Sequence, residues 1–173
     1  MQNPFTLTFG KSPLEPIERP LQTMEIVDTF TAETVNQQMF IITGVQGSGK
    51  TVMMTEIARR LREREDWVVI ELNPATDLLQ GMLAKLNSNK VCAAIIKSAK
   101  IDLSFFGFGV AIEGVPPLTD TETAIITILE KLKKQDKRLL ITIDEVTNND
   151  YMKVFAGSFQ IFVRQDLPGN GFI

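Results

Sequence analysis

The sequence predicts an α/β fold in which a central, mainly parallel sheet carries helices on its faces. Three observations predict it. An apolar run, Phe40-Ile41-Ile42-Thr43, leads into the glycine-rich stretch Gly44-Val45-Gln46-Gly47-Ser48-Gly49-Lys50-Thr51, and an amphipathic helical pattern follows. Two more apolar runs, ending in Glu71-Leu72 and in Ile143-Asp144-Glu145, each come after a helical pattern, and strands that alternate with helices imply parallel pairing. The length of 173 residues, with 44% hydrophobic and 23% charged, fits one compact domain with a sizeable core.

Composition removes several classes of function. The net charge of −3 and a pI of about 5.1 give no overall basic field to hold a nucleic acid by counterion release. No histidine is present, so histidine triads, zincin sites and imidazole general bases are excluded, and acid–base work falls to carboxylates, lysine or tyrosine. The single cysteine, Cys92, lies in the run Val91-Cys92-Ala93-Ala94-Ile95-Ile96 and reads as a small buried hydrophobe. Met1-Gln2-Asn3-Pro4-Phe5 has neither the basic start nor the apolar stretch of a signal peptide, and no run approaches a membrane span. The expectation is a cytoplasmic protein with no membrane partner.

Taken in order, the chain divides into a lead-in over residues 1–38 and a core over residues 39–173. Pro4, Pro13, Pro16 and Pro20, with Phe5, Leu7, Phe9 and Leu14 among them, predict an extended lead-in laid over the domain, because proline removes donors and blocks helix interiors. Residues 21–36 fit a short helix or a strand. Met39 to Thr43 reads as the first strand. From Lys50, Met53, Ile57 and Leu61 mark one stripe of a helix, with Met54 and Ala58 beside them. Its other face carries Glu56, Arg59, Arg60, Arg62 and Arg64. Glu56 can pair with Arg60 at i, i+4, which reads as a solvated face rather than a nucleic-acid patch.

Trp67 to Leu72 is the second strand, ended by Asn73-Pro74. Residues 77–100 are helical in two pieces, parted at Asn87-Ser88-Asn89. Ile101, Leu103 and Phe105, then Phe108, Val110 and Ile112, alternate with polar or small residues and predict an inserted β-hairpin over residues 101–113, turning at Phe106-Gly107. Thr119-x-x-Glu122 matches a capping box, followed by the stripe Ile125, Ile128, Leu129 and Leu132. After the strand ending at Ile143, Asp150 to Arg164 carries Tyr151, Met152, Phe155, Phe159 and Phe162 on a helical apolar side.

The chemistry gathers at two places. Gly44 to Thr51 matches G-x-x-x-x-G-K-[ST], the Walker A or P-loop pattern, in which the amides of Gly44, Val45, Gln46, Gly47, Ser48, Gly49, Lys50 and Thr51 can cradle phosphates. Arg138-Leu139-Leu140-Ile141-Thr142-Ile143-Asp144-Glu145 has the form of a Walker B strand. A hard Mg²⁺ ion on phosphate oxygens wants oxygen ligands, which Thr51 and Asp144 supply, while Lys50 adds a point charge. Glu145 is then placed to orient or deprotonate an attacking water.

Together, Gly44 to Thr51 and Ile141 to Glu145 resemble the additional-strand, catalytic-glutamate branch of P-loop NTPases, most closely the AAA-type ATPases. Within these the chain is similar to prokaryotic ATPases related to the origin-recognition and STAND-type signal-transduction ATPases, and Phe9-Gly10-Lys11 resembles their box before the P-loop. The resemblance implies a three-layer P-loop NTPase fold with the Walker A and Walker B strands as neighbours. It implies ATP and Mg²⁺ as ligands and hydrolysis to ADP and phosphate, with Glu145 and Lys50 catalytic and Thr51 and Asp144 on the metal. Relative to that pattern the chain stops after Leu167-Pro168-Gly169-Asn170-Gly171-Phe172-Ile173, before a sensor strand, a last core strand and a lid. That reads as C-terminal truncation, with weak turnover and an unpaired sheet edge available for self-association. Two other functions fit the residues: a nucleotide-gated module for a protein or DNA partner, and a small-molecule P-loop kinase. The missing N-K-x-D guanine box favours ATP over GTP.

Overall fold

The computed structural model describes residues 20–32, 37–164 and 171–172. Of the predicted lead-in over residues 1–38, residues 1–19, with the Phe9-Gly10-Lys11 box, and 33–36 lie outside the described residues, as do residues 165–170 of the tail. The element order is α1 (Pro20–Thr31), α2 (Lys50–Arg62), β1 (Trp67–Leu72), α3 (Leu78–Ser88), α4 (Lys90–Ser98), α5 (Thr121–Lys133), β2 (Arg138–Ile143), α6 (Asp150–Arg164) and β3 (Gly171–Phe172). No helix among the described residues is long and apolar enough to cross a membrane.

The three strands form one sheet in the order β1-β2-β3. β1 and β2 run parallel in register from Trp67 opposite Arg138 to Leu72 opposite Ile143, and β3 pairs parallel with β2 at Leu140 and Ile141. Side chains alternate across a strand, so β2 sends its residues to both faces. Leu139, Ile141 and Ile143 join Val68, Ile70 and Leu72 in a core with Met82, Leu83 and Leu86 of α3, Ile95 of α4, Ile125 and Ile128 of α5, and Phe155 and Phe162 of α6. Leu140 and Trp67 belong to a second cluster, with Ile26 and Phe30 of α1 and Met53, Ile57 and Leu61 of α2. Helices therefore cover both faces, and β2 reads as a continuous apolar run because neither face meets water.

Residues 21–36, which the sequence left between helix and strand, begin as α1. Pro20 stands at its first position, where its missing N–H costs nothing. Arg138 donates to the Phe30 carbonyl near the helix end (2.9 Å) and lies over the Trp67 ring. The expected pair of Glu56 with Arg60 on α2 is present and includes Arg59: Glu56 accepts from both guanidinium groups, which hold its carboxyl down at about 2. Asn89 separates α3 from α4, its Oδ1 accepting from the Val91 and Cys92 amides. Burial pushes the Cys92 thiol up to about 12, which makes it an inert core residue.

Four expectations are corrected. Met39 to Thr43 forms no ladder beyond an isolated bridge at Met39; Phe40 and Ile42 pack on the second cluster, with the Phe40 ring edge-on to Phe30 at 5.1 Å, while Ile41 is 75% exposed. Nor is this run the neighbour of β2, the strand that ends at Ile143. β3 takes that edge of β2, because α6 returns the chain parallel to it, so a strand begins within what had been read as tail. The capping box is displaced by one residue. Asp120 caps α5 by accepting from the Thr123 amide at 2.7 Å, since aspartate is the better acceptor, and Glu122 accepts instead from the Ser158 hydroxyl at 2.8 Å.

The fourth correction is the hairpin. Residues 101–113 form a loop with a 3-10 turn at Ser104–Phe106, closed by Gly107 in the left-handed region at φ 78°. Alternation had put Asp102 on the solvent side, yet it is buried between Ile101 and Leu103 and organises the loop. Its Oδ1 accepts from the Ser104 amide (2.9 Å), its Oδ2 from the Ile112 amide (2.8 Å), and its carbonyl from the Leu118 amide (3.0 Å). Three chain segments thus share one residue, and a hairpin ladder would leave that carboxylate unpaired.

The Ser104 side chain, then the Ile112 and Ser104 amides, hold the Asp102 carboxyl below its ordinary value of 3.8. A depressed folded-state value gives stability that is present above pH 3.8 and is lost as pH falls through the folded value. Asp102→Asn should lower the melting temperature at pH 7 and flatten the acid limb of stability against pH, measured by thermal melts between pH 7 and pH 2. An acid limb identical to wild type would contradict this role.

Candidate functional site

The loop between Thr43 and α2 is shaped by its glycines. A Cβ on Gly44 would sit 2.7 Å from the Ser48 Oγ, so any larger residue there would displace the serine side chain from its present position. Gly49, at φ 82°, is the N-cap of α2 and brings no side chain to cap it. The first-turn amides and the positive end of the helix dipole are thereby left for an incoming acceptor, and glutamates are absent from that turn. The Ser48 amide closes the loop on the Val45 carbonyl at 3.2 Å. Gly44, Val45, Gln46 and Gly47 are exposed, Val45 at 78%, so the loop opens to solvent.

Lys50 folds back over this loop. Its Nζ donates to the carbonyls of Gly44 (2.8 Å) and Val45 (2.9 Å), which parks the ammonium beside the amides that would meet an anion. Thr51, one residue on, donates from Oγ1 to Asp144 Oδ2 at 2.8 Å. The other carboxylate oxygen of Asp144 accepts from the Glu145 amide at 2.9 Å. Thr51 and Asp144 are 93 residues apart in sequence, and the position of Asp144 immediately beyond β2 carries it to the start of α2.

The predicted residues Gly44 to Thr51, Asp144 and Glu145 therefore come together at one end of the sheet. Oxygen donors at Thr51 and Asp144 suit a hard cation. Among the described residues no group of three or more histidine, cysteine, aspartate or glutamate side chains could enclose a metal. Such a donor set fits an ion held largely by ligand oxygens and water, as Mg²⁺ is, and not a dedicated protein cage.

Glu145 has φ 54°, in the left-handed region that an L-residue enters at a cost, and its side chain is exposed. Asn149 is the residue the sequence reading passed over. Its Nδ2 donates to the Pro74 carbonyl (2.8 Å) and to Thr147 Oγ1 (3.1 Å), and its Oδ1 accepts from the Met152 amide (2.9 Å) at the start of α6. An asparagine directly before a helical pattern is a recognisable N-cap signal; the bond to Pro74 has no local signature.

If the positive φ at Glu145 is strain held for the site, glycine there should relieve it. Glu145→Gly should leave folding stability unchanged or raise it by up to about 1 kcal/mol in urea unfolding, the left-handed penalty of about 1–2 kcal/mol being partly offset by glycine's entropy. A clear loss of stability would mean that the Glu145 side chain supports the fold.

No curated protein and no solved structure matches the chain. A family model described as an ATPase domain predominantly from Archaea matches residues 24–161, a span that runs from α1 into α6 and contains both the glycine-rich loop and Asp144-Glu145. With most of its length under that match, the chain belongs to this ATPase domain family.

Proposed function

We propose that this domain binds ATP with Mg²⁺ on Gly44 to Thr51 and hydrolyses it to ADP and phosphate, in a three-layer P-loop architecture of the AAA type related to the origin-recognition and STAND-type ATPases. The observation that carries the reading is the 2.8 Å bond from Thr51 Oγ1 to Asp144 Oδ2, which brings the two motifs to one point. The loop amides and the α2 N-terminus receive phosphate oxygens. Lys50 exchanges its two loop carbonyls for those oxygens. Thr51 and Asp144 hold Mg²⁺, which would supply charge to offset that of the phosphates. Glu145, exposed at the mouth of the site, orients a water and accepts its proton. The absence of an N-K-x-D box in the sequence supports adenine over guanine.

At ATP–Mg²⁺ about a hundredfold above its dissociation constant, linkage adds about 2.7 kcal/mol. For a chain of this size the melting temperature should then rise by roughly 5–10 °C. Lys50→Ala should abolish the rise; equal shifts in the two proteins would rule out the loop as the binding site. Glu145→Gln should keep the shift and lower phosphate release by about a hundredfold or more. Unchanged phosphate release in that variant would remove Glu145 from the chemistry.

A further inference from the structure

The segment from Asp144 to Asn149 leaves the sheet with no ladder to hold it, and residues 145–148 are exposed. Its first residue is fixed by Thr51. Its last, Asn149, caps α6 through Oδ1, and serine, threonine or aspartate would do that equally well. Among these cap residues only asparagine also carries N–H donors. In this structure both donors are used: one reaches Thr147 Oγ1 within the segment, and the other reaches across to the Pro74 carbonyl.

Pro74 is a firm anchor. It stands two residues past Leu72, which pairs with Ile143, so the loop after β1 starts beside Asp144. That loop is tied to itself: Asn73 Oδ1 accepts from the Ala75 amide at 2.9 Å, and the Asn73 carbonyl accepts from the Thr76 amide and hydroxyl at 3.3 and 3.2 Å. It then passes into α3 through Asp77, which caps Gln80 at 3.0 Å.

We propose that Asn149 is a positioning residue for Glu145: its Nδ2 bond to the Pro74 carbonyl pins the far end of the segment that Thr51 and Asp144 pin at the near end. Glu145 is thus held between two anchors while its own side chain stays free of both. This rests on the reading of Glu145 as the group that acts on water. A tether of this kind moves turnover and leaves nucleotide affinity alone, because Asn149 is distant in sequence from the phosphate loop and bonds to none of its residues.

Two substitutions separate the tether from the cap. Asn149→Asp keeps an oxygen for the Met152 amide but sets a carboxylate oxygen against the Pro74 carbonyl; Asn149→Ser keeps a cap and removes the tether without adding charge. With the full chain, phosphate release and the ATP–Mg²⁺ melting shift are measured for both, beside Glu145→Gln. The expected result is kcat lower by about tenfold or more, the size of effect that a misplaced catalytic group produces, with KM and the nucleotide-induced shift near wild type. Normal kcat in both variants, beside a defective Glu145→Gln, overturns the proposal alone. A kcat loss matched by equal losses in melting temperature and nucleotide binding also overturns it, reducing Asn149 to a cap. Should Glu145→Gln turn over like wild type, the hydrolytic reading falls and the proposal falls with it.

Discussion

The parallel pairing of β1 with β2 is the constraint on which the rest depends. Both strands are largely buried, with Glu71 the exposed exception, and their register runs without a slip from Trp67 opposite Arg138 to Leu72 opposite Ile143. A shift of one residue would turn Leu139, Ile141 and Ile143 away from the α3–α6 core and towards α1 and α2, so the register is tightly specified. Its consequence for the site is positional. The two strands end level, so Asp144 and Asn73 emerge side by side, and everything that leaves the sheet at that end starts from one edge.

From that edge the site is assembled by short hydrogen bonds rather than by further packing. Asp144 uses one oxygen on Thr51 and the other on the Glu145 amide, which leaves the carboxylate no freedom to rotate without losing a partner. The second bond also helps to explain how Glu145 is kept at a positive φ, since the carboxylate of Asp144 draws the next amide back towards it. A cost of that kind persists only where surrounding structure over-determines it, and two independent anchors, at residues 144 and 149, supply the over-determination. The strained residue is also the exposed acid of the site.

Local patterns carried the helices and the buried strands from the sequence. The stripes Met53-Ile57-Leu61 and Ile125-Ile128-Leu132 face the two cores where their periodicity put them, and the break at Asn89 is a side-chain cap that needs no tertiary context. The convergence of Thr51 with Asp144 was legible because the glycine-rich pattern with lysine and hydroxyl at fixed offsets, and an acid after a buried strand, each predict which end of the sheet their residues occupy. What failed was decided by distant partners. Asp102 could not be read as a buried hub from its neighbours, because the amides it binds include that of Ile112, ten residues away. Met39 to Thr43 has a strand's alternation, but the edge of β2 went to Gly171 and Phe172, which carry no strand signature of their own. Asn149 looked like a cap and is one; only its contact with Pro74, 75 residues away, gives it a second role.

Lys50 shows why a loop of this kind can stay folded before any anion arrives. A lone ammonium beside the positive end of a helix would be repelled, and the loop's own carbonyls at Gly44 and Val45 offset that repulsion. On the proposed function, phosphate oxygens would compete for the same Nζ with full negative charge instead of partial charge, so the exchange would favour the ligand. It would also free the two carbonyls, which lie on the exposed side of the loop where water can take them. Binding by that route would need no rearrangement of the glycine backbone: the lysine side chain would change partners, and the loop would remain as the sequence built it.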